Sequence, residues 1–125
     1  MSDEPARPLT PDEQRVLDLL LGNEYPGVEQ LRLQAAGATV VGRCDCGCPT
    51  IYLAVPEEAA RAPLTGRLAP VEGRVAPQDG EPQGDIILFL DDGRLTSMEY
   101  VFYTDAPPVG WPPNDRLSVV EAPRR

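Results

Sequence analysis

Every cysteine of this chain lies in one short stretch, Arg43-Cys44-Asp45-Cys46-Gly47-Cys48-Pro49-Thr50, and the chain contains no histidine. Three thiols at Cys-x-Cys-x-Cys spacing suit two kinds of chemistry. As thiolates they can hold a soft ion such as Zn²⁺ or Cu(I). As a dithiol pair they can close and reopen a disulfide. If Asp45-Cys46-Gly47 forms the turn of a hairpin, Cys44 and Cys48 become a cross-strand pair. Such pairs have Cα separations of about 4.5–5.5 Å, within disulfide reach. Cys46 then sits at the tip as an attacking or resolving thiol. A closed zinc site at Cys44, Cys46 and Cys48 needs a fourth ligand. Without histidine, that ligand is Asp45, another carboxylate, water or a second chain. Arg43 favours an ionised neighbouring thiol and Asp45 opposes it, so the two roughly cancel. The plain alternative is that these are small, weakly polar residues placed for tight backbone packing. That structural reading is favoured over metal binding, and metal binding over redox cycling.

The second group of interest is acidic. Asp91-Asp92 with Glu99 has the residue types to bind Ca²⁺ or Mg²⁺ or to act as an acid–base pair. The calcium-loop pattern is missing, because no further acids follow at the required spacing, and Asp-Asp-Gly is ordinary hairpin-turn chemistry. Glu99 is more interesting. It shares a strand face with Val101 and Tyr103, so Glu99 with Tyr103 forms a candidate protein-contact patch.

What is absent narrows the function further. There is no lysine, all eleven basic residues are arginine, and the only serines are Ser2, Ser97 and Ser118. Imidazole bases, Ser–His and Cys–His pairs, Schiff-base lysines and a phosphate-loop lysine are all excluded. Carboxylate chemistry, thiol chemistry or no catalysis remains, and the balance leans against an enzyme. The net charge is −9, with nine acids against two arginines between Asp79 and Ala122. Such a surface repels nucleic acid and anionic membranes and suits a basic protein partner. A solvated face that keeps the protein soluble is the simpler reading of the same charge. The acidic start, Met1-Ser2-Asp3-Glu4-Pro5, has no basic leader region, and Leu19-Leu20-Leu21 is too short for a signal core or a membrane span. The expected location is the cytoplasm, with reduced thiols.

These residues need a frame. Residues 1–9 read as a disordered tail. Thr10-Pro11-Asp12-Glu13 then reads as a helix start, with Thr10 as N-cap, Pro11 in the first turn and Glu13 completing a capping box. Val16, Leu17, Leu20 and Leu21 form the apolar face, and Gly22 can stop the helix. A shorter helix after Tyr25-Pro26 turns Val28, Leu31 and Ala35 inward and ends at Gly37. Thr39–Cys44 and Thr50–Val55 are strands joined through the cysteines. Residues 56–84 form a Pro/Gly-rich excursion, with prolines at 56, 63, 70 and 77 and one short strand around Leu68–Val75. Asp85–Leu90 and Leu95–Tyr103 make a hairpin about Asp91-Asp92-Gly93. Leu117–Glu121 adds an edge strand, and 123–125 is a tail. The expected fold is α+β, a single domain over 10–122. Two N-terminal helices pack on one face of an antiparallel sheet of four or five strands.

Two motifs carry a resemblance. Gly42-Arg43-Cys44-Asp45-Cys46-Gly47-Cys48-Pro49-Thr50 and Gly93-Arg94-Leu95-Thr96-Ser97-Met98-Glu99-Tyr100, followed by Tyr103-Thr104-Asp105, resemble a family of small uncharacterised proteins from GC-rich Gram-positive bacteria. The similarity runs from about Glu13 to Asp105 and brings no activity or site with it. The layout of a helix pair, a sheet and a Gly-x-Leu-x-x-x-Glu hairpin is also similar, at fold level only, to small immunity-type proteins of bacterial toxin systems. From residues and resemblance together, the expected function is non-enzymatic and protein-binding, immunity- or adaptor-like. Asp91, Asp92, Glu99 and Tyr103 would form the contact. The alternative is a thiolate metal-binding or redox module at Cys44, Cys46 and Cys48, with zinc as the candidate ion.

Overall fold

The computed structural model of the chain describes residues 2–77 and 84–122. Among these are two α-helices and one seven-stranded antiparallel sheet. The fold class is α+β, as expected, but the sheet is larger than four or five strands.

Helix α1 (Pro11–Leu20) begins as its sequence dictates. The Thr10 side chain accepts the Glu13 amide, and the Glu13 carboxylate accepts the Thr10 amide at 2.8 Å, closing a reciprocal capping box. Arg7 reaches the same carboxylate with two bonds of 2.9 and 3.1 Å. Helix α2 (Val28–Ala36) starts after Gly27, whose φ of +92° is a left-handed conformation that glycine adopts without strain.

The strands are β1 (Ser2–Pro8), β2 (Thr39–Arg43), β3 (Ile51–Ala54), β4 (Leu68–Val75), β5 (Gly84–Asp91), β6 (Arg94–Phe102) and β7 (Leu117–Glu121). Their order across the sheet is β1-β2-β3-β6-β5-β4-β7. The β5–β6 hairpin has the longest ladder, from Gly84↔Phe102 to Asp91↔Arg94. It turns through Asp92 at φ 51° and Gly93 at φ +75°, both left-handed, as a two-residue turn matched to strand twist requires. A side chain at Gly93 would strike the Ala62 carbonyl at 2.3 Å, so the residue is fixed by close approach as well as by conformation. By contrast, β3 and β6 meet through two register pairs, Ile51↔Met98 and Tyr52↔Ser97.

Alternation places Ile51, Leu53, Ile86, Leu88, Leu90, Leu95, Met98 and Tyr100 in one apolar cluster with Val16, Leu17, Leu20, Val28, Leu31 and Ala35 of the helices. Gln34 lies in this cluster, fully buried, and ties α2 to the hairpin. It donates to the carbonyls of Ala60 and Gly93 at 2.9 and 2.8 Å, and accepts the Leu95 amide at 2.9 Å.

One segment departs from the sequence expectation, and a second meets it with more pairing than expected. The sequence reads as a disordered tail over 1–9, whereas Ser2–Pro8 is the edge strand β1, paired with β2 from Ser2↔Arg43 to Pro8↔Thr39. Its two prolines are tolerated because an edge strand has one unpaired side. In the 56–84 excursion the expected strand forms at Leu68–Val75. Residues 68–75 form an eight-residue strand paired on both sides, with β5 and β7, and Pro70 falls where the β4–β5 register shifts. The part of the excursion at 78–83 and the tail at 123–125 lie outside the described residues.

Candidate metal centre

The cysteines occupy the connection between β2 and β3. Strand β2 stops at Arg43, and the first bond across the connection runs from the Cys44 amide to the Thr50 carbonyl at 3.3 Å. Cys44 therefore faces Thr50, not Cys48. The turn is wider than a three-residue tip, and the expected Cys44–Cys48 cross-strand pair does not form. Gly47 makes the turn possible with φ +91°, and since nothing lies within 4 Å of a Cβ placed there, conformation alone selects glycine.

The turn folds back so that the three sulfurs converge. All three Sγ atoms lie within 4.8 Å of one another, the only group of three or more potential metal ligands among the described residues. Cys44 and Cys46 stand 3.0 Å apart, which is longer than the S–S bond of about 2.05 Å, and the thiols are free. Cys46 is exposed, Cys44 half-buried and Cys48 buried. The Cys48 amide points at the Cys46 sulfur at 3.4 Å, and the Cys48 thiol meets the Thr50 hydroxyl oxygen at 3.4 Å. Thr50 is itself held in place, since its oxygen accepts the Tyr100 amide at 3.0 Å. One member of the triad is thus anchored to the sheet through Thr50 while another stands in solvent.

The thiols differ in acidity because they share protons. Burial works to raise Cys48, but hydrogen bonds from Thr50, Cys46 and Cys44 outweigh it, and its pKa falls below the usual thiol value. Cys46 is pushed up to about 11, first by its hydrogen bond to Cys44 and then by that to Cys48. Cys48 is therefore the first of these two to become a thiolate. Tyr52, on β3, is raised by burial and then by the negative charge of Glu99, Cys44, Cys48 and Asp45, so this corner of the sheet is electronegative.

The acidic residues singled out from the sequence are not brought together. Asp91 and Asp92 are exposed at the β5–β6 turn, where Asp92 pairs with Arg61 at 2.7 Å. Glu99 lies mid-strand opposite Ile87 and accepts the Ser97 hydroxyl at 3.1 Å. Tyr103 follows the far end of the hairpin, about 33 Å from the turn at strand spacing. Its hydroxyl donates to Asp85, and that bond, with burial and the Asp85 charge, raises its pKa. Asp85 in turn accepts from Arg74 at 3.2 Å.

Sequence reasoning missed Thr50 and Gln34. Thr50 reads as the outward member of an alternating strand, yet it is 4% exposed. Gln34 stands three residues after Leu31, on the inward face of α2, and that spacing was the available signal. No helix among the described residues is long and apolar enough to cross a membrane. No family model, curated protein or solved structure matches the chain.

Proposed function

We propose that the chain is a thiolate metal-binding module in which Cys44, Cys46 and Cys48 hold one soft or borderline ion of the zinc and copper class. The convergence of three sulfurs within 4.8 Å carries this reading. The partial anchoring of the triad supports it too: Thr50 fixes Cys48, and exposed Cys46 leaves a path for an ion to enter. The reading takes the helix pair to lie on one face of the sheet, which the shared apolar cluster supports, and the protein to be a non-enzymatic resident of a reducing compartment such as the cytoplasm. Protein purified without chelator should carry one metal ion per chain by elemental analysis and native mass spectrometry. A variant with Cys44, Cys46 and Cys48 all replaced by Ser should carry none. Metal-free wild type with three freely alkylated thiols would refute the reading.

A second reading, docking of a basic protein, is favoured by one observation. Val101 and Tyr103 are exposed at 37% and 62% on the sheet face that also carries Asp85 and Glu99. The contact would then use Glu99 and Tyr103, with Asp91 and Asp92 at the distant hairpin turn. Unchanged partner capture from the native host after Glu99→Arg and Tyr103→Ala rejects it.

A further inference from the structure

We infer that the preferred occupant of the cysteine turn is copper(I), held by three thiolates with no fourth ligand; this rests on the metal-binding reading above and names its ion. The donor set is the first reason. It is all sulfur, the chain has no histidine, and among the described residues no carboxylate joins the three thiols within ligating reach of one another. Zinc in a closed site takes four donors, so at this turn it must recruit water or a group from another molecule. Copper(I) shares zinc's filled d shell but is softer and carries one less charge. Three thiolates complete its coordination.

The geometry agrees with that count. A planar three-sulfur site with metal–sulfur bonds of about 2.3 Å sets the sulfurs ~4.0 Å apart. Here Cys44 and Cys46 stand at 3.0 Å and no pair exceeds 4.8 Å, so the separations bracket that target. The turn has room to make the change. Gly47 has no neighbour within 4 Å of its Cβ position, and Cys46 is exposed, whereas Cys48 is held through Thr50 and the Tyr100 amide. Two sulfurs can therefore move onto an ion that the third already marks.

The chemistry balances without a redox partner. Three S–H bonds break and release their protons, copper's bonds to the carrier thiolates break one by one as three bonds to Cys44, Cys46 and Cys48 form, and copper stays in the +1 state throughout. The exposed Cys46 side is the route by which the ion arrives from, or leaves to, another thiol ligand, with one sulfur exchanged at a time.

The decisive experiment titrates the reduced, full-length chain anaerobically with copper(I) alone and, in parallel, with zinc(II) alone. X-ray absorption is then recorded on each bound form. One copper(I) per chain with three sulfur scatterers and no oxygen or nitrogen neighbour is expected. Zinc(II) should show an added light-atom ligand and be displaced by one equivalent of copper(I). Each single Cys→Ser change should weaken copper(I) by more than the ~10–100-fold typical of losing an outer-shell partner. A light-atom ligand on copper, or loss of copper(I) affinity in Asp45→Asn, overturns the three-thiolate assignment. Zinc(II) bound one to one and not displaced by copper(I) overturns the copper inference while leaving the metal-binding reading intact. Failure of both ions to bind three free thiols overturns both.

Discussion

Replacing Gln34 with Leu removes a polar group from the core and leaves its three partners in unequal positions. The Gly93 carbonyl keeps a second bond, from the Ala62 amide at 2.9 Å. Ala60 is an exposed residue, so its carbonyl can turn to water. The Leu95 amide has no such recourse, because its residue is 1% exposed and its partner was the Gln34 carbonyl oxygen. One orphaned buried donor costs about 1–3 kcal/mol, and the two other lost bonds about 0.5–1.5 kcal/mol each. The extra apolar burial of leucine returns roughly 1–2 kcal/mol. The net destabilisation is about 2–3 kcal/mol, a fall in Tm on the order of 10 °C for a chain of this size. Urea unfolding can be followed by fluorescence of Trp111, whose ring stacks on Tyr100 at 6.1 Å. A Gln34→Leu variant within about 0.5 kcal/mol of wild type, the range of ordinary surface changes, refutes the assigned role. A companion, Gln34→Glu, sets a carboxyl against the two carbonyls that Gln34 serves as donor. Only the protonated acid can donate there, so its folded-state pKa is raised. The variant should be most stable below the ordinary carboxylate range and lose stability as pH rises from there through the raised folded value.

Glu13 works in the opposite sense. Burial raises its pKa, but hydrogen bonds from Arg7 and the Thr10 amide, with the Arg7 charge, outweigh burial and hold it below the usual carboxylate value. Its stabilisation is present above the unfolded-state value and is lost as pH falls through the lowered folded value, so Glu13→Gln should flatten the acid limb of a stability-versus-pH curve; an unchanged acid limb contradicts this. The Tyr25 hydroxyl is buried with no hydrogen-bond partner among the described residues, and burial pushes its pKa up to about 12, relieved slightly by Arg32. Tyr25→Phe should therefore leave stability unchanged or raise it by about 1 kcal/mol in the same urea assay, and a clear loss would reveal a partner for that hydroxyl. Oxidised glutathione should join the near pair Cys44 and Cys46, releasing two reduced glutathiones and leaving Cys48 as the single alkylatable thiol. The oxidised chain should no longer bind metal, and retained binding would show that the triad does not act as a unit.

The elements that punctuate themselves were legible in advance. Thr10-Pro11-Asp12-Glu13 announces a capped helix, and Asp91-Asp92-Gly93 between two apolar runs announces a hairpin, because a cap or a turn is decided within a few neighbouring residues. Strand β1 was hidden for the opposite reason. It carries two prolines, and its strand character comes from pairing with residues far along the chain, such as Arg7↔Val40. Strand β4 stands where one short strand was expected, and only its pairing on both sides, as in Arg74↔Ser118, had no local sign. Clustering of the thiols was evident from spacing alone. Which sulfur faces Thr50, and which lies open, depends on the left-handed Gly47 and on the Tyr100 amide, neither of which the motif itself encodes.

The narrow junction between β3 and β6 gives the sheet a mechanical grain. On one side stand three strands that end in the cysteine turn, and on the other the four strands built around the long hairpin. Two register pairs and the Tyr100–Thr50 bond span the line between them, so local opening should begin there, ahead of the hairpin ladder. Thr50 is also the residue that Cys48 leans on. On the proposed metal reading, an ion seated on Cys48 would stiffen the hinge side of that line, and parting the two halves would loosen the ion's firmest anchor. Occupancy and breathing of the sheet thus share one hydroxyl group, and amide exchange along the junction should slow when metal binds.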